Sequence, residues 1–168
     1  MTFDLSEANN EAKRRLIPAL EGKGAHLCFE EAIEDFPDKL MNQKPDNVPY
    51  TFWHQLEHMR IAQWDILRYI QDPDHQSPVW PDEYWPGQNA EADRSAWQRT
   101  VDQFLADRQE LIKLIQDPGC NVLSPVKHMS NRSILRQALL VVDHTAYHLG
   151  EFVMGRQVLG AWQSALDR

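Results

Sequence analysis

Apolar residues recur at three- and four-residue intervals in four stretches of this chain, and no stretch alternates with the two-residue period of a strand. The first stretch starts at about Ser6 as an N-cap and runs to Gly22, with Leu16, Ile17 and Leu20 on one side and "EGKG" as its stop. The second follows "KPDNVPY". Thr51 caps it, and "FWHQLEHMRIAQWDILRYIQ" carries it to Asp72-Pro73 with apolar side chains around most of its circumference, which marks a central helix. The third spans Asp93 to Gln116, with Trp97, Val101, Phe104, Leu105, Leu111, Ile112 and Ile115 in a stripe and "DPG" as its end. The fourth begins between Ser130 and Ser133 and continues through "LLVVDHTAYHLGEFVMG", with a bend expected near Gly150 or Gly155. Helices of about 20 residues are about 30 Å long, so the pattern predicts an all-α four-helix bundle.

Two connections are long and partly irregular. "KGAHLCFEEAIEDFPDKLMNQKPDNVPY" holds a short helix around Phe29 to Phe36, and "DPDHQSPVWPDEYWPGQNA" packs four prolines and three large aromatics into nineteen residues. Loops of that length without structure of their own are uncommon unless they cover something or move. Trp80, Tyr84 and Trp85 argue for packing. The favoured expectation is that they cap an end of the bundle; the other is that they wall a substrate pocket.

A chain of 168 residues is long enough to bury a core without staples, and one domain over residues 1–168 is expected. The formal charge of −8 repels phosphate backbones and anionic bilayers, so neither nucleic acid nor membrane is expected as a partner. Cys28 and Cys120 form no C-x-x-C pair, which argues against a disulfide framework or a thiolate zinc site and for a reducing compartment. "MTFDLSEANNEAKRRL" lacks the apolar core of a secretory signal, and "ALLVV" at 138–142 is too short to span a bilayer. A cytoplasmic location is the expectation.

Two pairs among the seven histidines, His54/His58 and His144/His148, have the i, i+4 spacing on predicted helices. Such residues lie on one face about 40° apart, close enough for two imidazoles to reach one ion. On the last helix the face carrying Leu140 and Val141 turns polar at His144, His148 and Glu151. A polar cluster entering an apolar seam is how bundles hold metals; the alternative is a face opening to solvent near Gly150 with His144 bonded to a buried partner. No H-E-x-x-H is present, since Gln55 follows His54 and Thr145 follows His144. The Glu-x-x-His of di-iron bundles is absent as well, because Gln55 and Thr145 stand three places before His58 and His148. Nucleophile elbows and phosphate loops are missing too.

"AHLCFEEAIEDFP", "WHQLEHMRIAQWDIL", "SPVWPDEYWP" and "SILRQALLVVDHTAYHLGEFVMGRQVLGAW" resemble the DinB-like superfamily of four-helix bundles, which includes thiol-dependent transferases of the YfiT and maleylpyruvate-isomerase type. The resemblance implies an up-down-down-up bundle with a divalent metal, usually nickel or zinc, held by one histidine of the second helix and two of the fourth. Those ligands fall on His58, His144 and His148. His54 lies outside the set, as a first-turn residue near the pocket mouth. Glu151 stands where relatives often have Gln after "HLG", and Gln137 where many have Glu after "LR". A homodimer is expected by analogy with relatives.

Three protein ligands leave a position open, which is the pattern of catalytic rather than structural sites. The implied chemistry is Lewis-acid activation of water or of a low-molecular-weight thiol, that is, a hydrolase or thiol S-transferase acting on an unidentified small molecule. A metal-binding bundle without turnover, serving as a stress-related or interaction protein, is the alternative. Glu151 and Asp143 are the candidate catalytic residues, orienting a ligand or taking a proton, with Asp143 able instead to pair with Arg136. His26 is expected as a satisfied core histidine and His75 and His128 as solvated loop residues. Arg60 and Arg136 are expected to pair with carboxylates more readily than with an anionic substrate.

Overall fold

The computed structural model describes residues 4–126, 128 and 131–162, and its regular structure is helical apart from one bridge between Pro125 and Ser133. Five α-helices follow in order: α1 (Leu5–Leu20), α2 (Phe29–Ile33), α3 (Phe52–Gln71), α4 (Arg94–Gln116) and α5 (Ile134–Val158). The caps are local chemistry. Thr51 accepts the His54 amide at 3.1 Å, Asp93 accepts that of Ala96 at 2.7 Å, and Ser133 accepts that of Arg136 at 3.2 Å. Ser130, the other expected start of the last helix, lies outside the described residues. At α1 the cap is Asp4 rather than Ser6, because its carboxylate takes the Ser6 amide at 2.8 Å, which places the cap two residues earlier. Gly22, at φ 73°, ends that helix in the left-handed conformation that glycine adopts without strain.

The direction of each helix follows from its neighbours. Asn9 near the start of α1 bonds the Cys120 carbonyl and the Val122 amide just past the end of α4, at 3.2 and 2.9 Å. One core cluster joins the starts of α3 and α4 to the end of α5 through Leu56, Met59, Val101, Phe104, Leu149 and Phe152. A second joins the ends of α3 and α4 to the start of α5 through Leu67, Leu111, Ile115, Ala138 and Val141. The four long helices therefore run up, down, down and up, and α3 and α4 are parallel neighbours. Parallel helices cannot be joined by a tight turn. The chain must climb back the roughly 30 Å that α3 descends.

The segment from 72 to 93 does that, and this corrects the expectation that its aromatics cap an end of the bundle. It climbs along α3 and is fastened at successive heights: His75 and Tyr84 to Asp65, then Tyr84 and Trp85 to His58, then Ala90 to His54. α5 passes through Gly150 and Gly155, where a bend is expected, without a break in the helix. Gly155 serves packing instead: a Cβ there would lie 3.0 Å from the Phe52 ring. The short helix stops at Ile33 rather than Phe36 because Asp35 takes a positive φ of 51°. Phe36 turns into the core to stack on Trp97 at 4.7 Å. Among the described residues no helix is long and apolar enough to cross a membrane.

Candidate metal centre

His58 lies in the second turn of α3, and His144 and His148 lie one turn apart on α5, which packs against α3. The helix period therefore aims two imidazoles across the seam at a third. Ligand atoms of the three rings all lie within 4.8 Å of one another, and the Nε2 atoms of His58 and His144 are 3.1 Å apart. Nitrogens sharing an ion at about 2.1 Å stand about 3–3.4 Å apart at ordinary coordination angles. His58 and His148 are buried at 1 and 7% exposure, so the cluster is set into the core rather than displayed.

Hydrogen bonds fix which nitrogens face inward. His58 donates from Nδ1 to the Tyr84 carbonyl at 2.8 Å, because a carbonyl can only accept. His148 donates from Nδ1 to Oε2 of Glu151 at 2.8 Å. Each then presents a bare Nε2 to the centre, the tautomer a metal requires, with an oxygen acceptor behind the ring of the kind that orients ligating histidines. In the metal-free chain His144 must carry its proton on Nε2 to avoid opposing lone pairs at 3.1 Å. Gln55 braces the arrangement by donating Nε2 to the His148 carbonyl and to Glu151 Oε2, both at 3.0 Å. Trp85 lies flat on His58 at 3.8 Å and 4°, and Tyr50 stacks on Trp85 at 4.9 Å.

The environment keeps these imidazoles neutral. Burial drives the His58 pKa down to about 4, with the charge of His148 adding to it and the Tyr84 carbonyl opposing. Burial drives that of His144 to about 3, helped by His148 and His58. Burial also lowers His148, against the pull of Glu151. Burial raises the Tyr50 hydroxyl, with the Glu151 carboxylate second, and Glu151 raises that of Tyr147. Three close, neutral imidazoles, two of them with the outer nitrogen tied to an oxygen and the third free to move its Nε2 proton to Nδ1, are a donor set that fits a divalent metal ion.

A pH effect follows. An unfolded histidine titrates near about 6.5, so between that pH and about 4 the unfolded chain binds protons that folded His58 and His144 refuse. Stability of the metal-free protein must then fall as pH drops through that window. The urea midpoint is expected to be lower at pH 5 than at pH 7, with a smaller difference in His144→Gln. An equal difference in the variant counts against the buried neutral cluster.

Glu151 thus stands behind His148, within the hydrogen-bond network. Asp143 is exposed, and Arg136 bonds Gln137 at 2.7 Å instead of Asp143. His54 is buried at 5% and donates to the Ala90 carbonyl at 2.8 Å, so it anchors the climbing segment rather than standing at a pocket mouth. His26 is exposed and bonds its neighbour's carbonyl, contrary to the expectation of a core position. His75 is not solvated: its Nε2 bonds Asp65 Oδ1 at 2.8 Å with 9% of the side chain exposed. His128 packs edge-on against Tyr69 at 5.5 Å, its Nε2 buried. Arg60 pairs with Glu57 at 2.7 Å.

Sequence reasoning passed over Gln55, Tyr50 and the Tyr84 carbonyl. Gln55 had a signal, lying one turn before His58 on the same face. Removing the brace behind His148 by Glu151→Gln is expected to weaken zinc binding about 10–100-fold, measured by competition with a chromophoric chelator. Unchanged affinity would show that Glu151 does not orient the ligand.

A model of the DinB superfamily matches residues 28–152, a span that contains the three histidines and the whole climbing segment. No curated protein and no solved structure shows a significant match.

Proposed function

The chain belongs to the DinB superfamily, and on that premise we propose a divalent-metal-dependent enzyme in which His58, His144 and His148 hold nickel or zinc. The reaction is of hydrolase or thiol S-transferase type. The observation that carries this reading is the pair of Nδ1 hydrogen bonds, to the Tyr84 carbonyl and to Glu151, that leave bare nitrogens converging on one point. A bound ion supplies Lewis acidity to water or to a low-molecular-weight thiol. The protein's part is positional. Glu151 locks the His148 tautomer through Oε2, and its carboxylate, beside the Tyr50 and Tyr147 hydroxyls, is the proton acceptor in this reading. Asp143, the other carboxylate expected to act, is exposed, and the proton role is assigned to Glu151. Trp85 shields one face of His58 from water.

Residues 1–168 are read as one such domain, which the packing of α1, outside the matched span, against α4 and α5 supports. Cytoplasmic residence is proposed with it, in keeping with the free thiols of Cys28 and Cys120. A homodimer is supported by exposed Leu140 and Tyr147, seven residues apart on one face of α5, and sedimentation velocity tests it.

The functional test is an assay of tag-free, zinc- or nickel-loaded protein against ester, amide and thiol-transfer substrates. Turnover that a chelator removes and the metal restores is expected; turnover indifferent to the chelator contradicts the proposal. One observation favours a metal-holding bundle without turnover. The cavity of about 250 Å³ beside the cluster is lined by Gln55 and Glu151 but by none of the three histidines.

A further inference from the structure

That cavity has a chemistry of its own. Its walls are mainly apolar, from Pro45, Val48 and Phe52 on one side and Met154 and Val158 of α5 on the other. The floor is where Gly155 lacks a side chain, since a Cβ there would stand 3.0 Å from Phe52 and 3.4 Å from Pro45. At about 250 Å³ it falls just below the range of about 300–1,000 Å³ typical of drug-sized ligands, which suits a single ring or a short branched chain. Among the described residues the charged ones lining it are Asp46 and Glu151, with no lysine or arginine. Tyr50 adds an aromatic wall. An anionic head would meet two carboxylates without a counter-charge, whereas an ammonium would meet charges of opposite sign.

We infer that this cavity binds a small apolar amine, with its ammonium toward Glu151 and Asp46 and its hydrocarbon between Phe52, Val48 and Met154. Glu151 joins the two sites: Oε2 receives His148, and the same side chain lines the cavity. An amine seated there is one side chain removed from the histidine cluster. The inference rests on the proposed metal chemistry for the amine's role as substrate or product, but not for its binding.

The test is calorimetric titration of the full-length chain, zinc-loaded and zinc-stripped, with phenethylamine, 2-phenylethanol and phenylacetate. The amine is expected to bind at least about tenfold more tightly than phenylacetate, with the alcohol between them. Asp46→Lys, at an exposed position, should remove most of that preference, and Val158→Trp, also exposed, should weaken the amine about tenfold at unchanged zinc content. Phenylacetate binding as well as the amine, no binding by any probe, or amine binding indifferent to both substitutions overturns the inference. Amine binding retained by a protein that takes up no metal upholds it while defeating the metal reading. Metal uptake without amine binding does the reverse.

Discussion

His58→Ala is expected to abolish one-to-one binding of zinc or nickel, with an affinity loss exceeding the roughly 10–100-fold that loss of an outer hydrogen-bond partner brings. His58 is the sole contribution of α3 to the cluster, so without it the two rings of α5 face an apolar seam with no third nitrogen opposite. The substitution also strips the Tyr84 carbonyl of its donor and Trp85 of its stacking partner. A modest stability loss of about 1–3 kcal/mol should accompany it. Metal-to-protein ratio after desalting, read beside helical content by circular dichroism, separates the two effects. A folded variant still carrying one equivalent of metal would place the site elsewhere.

Phe104→Ala is expected to lower stability by about 3–5 kcal/mol, a large share of the 5–15 kcal/mol of an ordinary domain. Its ring is fully buried, stacks on Phe29 at 4.0 Å, and belongs to the cluster that joins the starts of α3 and α4 to the end of α5. Truncation opens a void between three helices whose positions are fixed by other contacts, so little collapse can refill it. The urea midpoint measures this. A shift worth less than about 1 kcal/mol would mean the aromatic cluster is not packed as described.

Periodicity and caps made the helices legible. Trp97, Val101, Phe104, Leu111 and Ile115 all point inward as their spacing requires, Thr51 caps where expected, and Asp93, the expected start of the third helix, caps it. Helix direction was not legible from spacing, because an amphipathic stripe reads the same whether its neighbour is parallel or antiparallel. That is why the segment holding Trp80, Tyr84 and Trp85 was placed at an end of the bundle, when parallel α3 and α4 force it along the side. The histidine spacing on α5 was visible, whereas the acceptor behind His58 was not, since a backbone carbonyl has no letter in the sequence. His75 and His26 were misplaced for a related reason. The polar neighbours of His75 suggest solvent, but its partner Asp65 is ten residues back on α3; the mixed neighbours of His26 suggest a core that the chain does not build there.

X-ray absorption at the zinc or nickel edge, on protein purified without a histidine tag, tests the metal centre most directly. The expected spectrum shows about three imidazole nitrogens at about 2.0–2.1 Å with the remaining positions filled by light, non-protein atoms. Protein that retains no metal when zinc or nickel is supplied, or a metal shell without imidazole, contradicts the account.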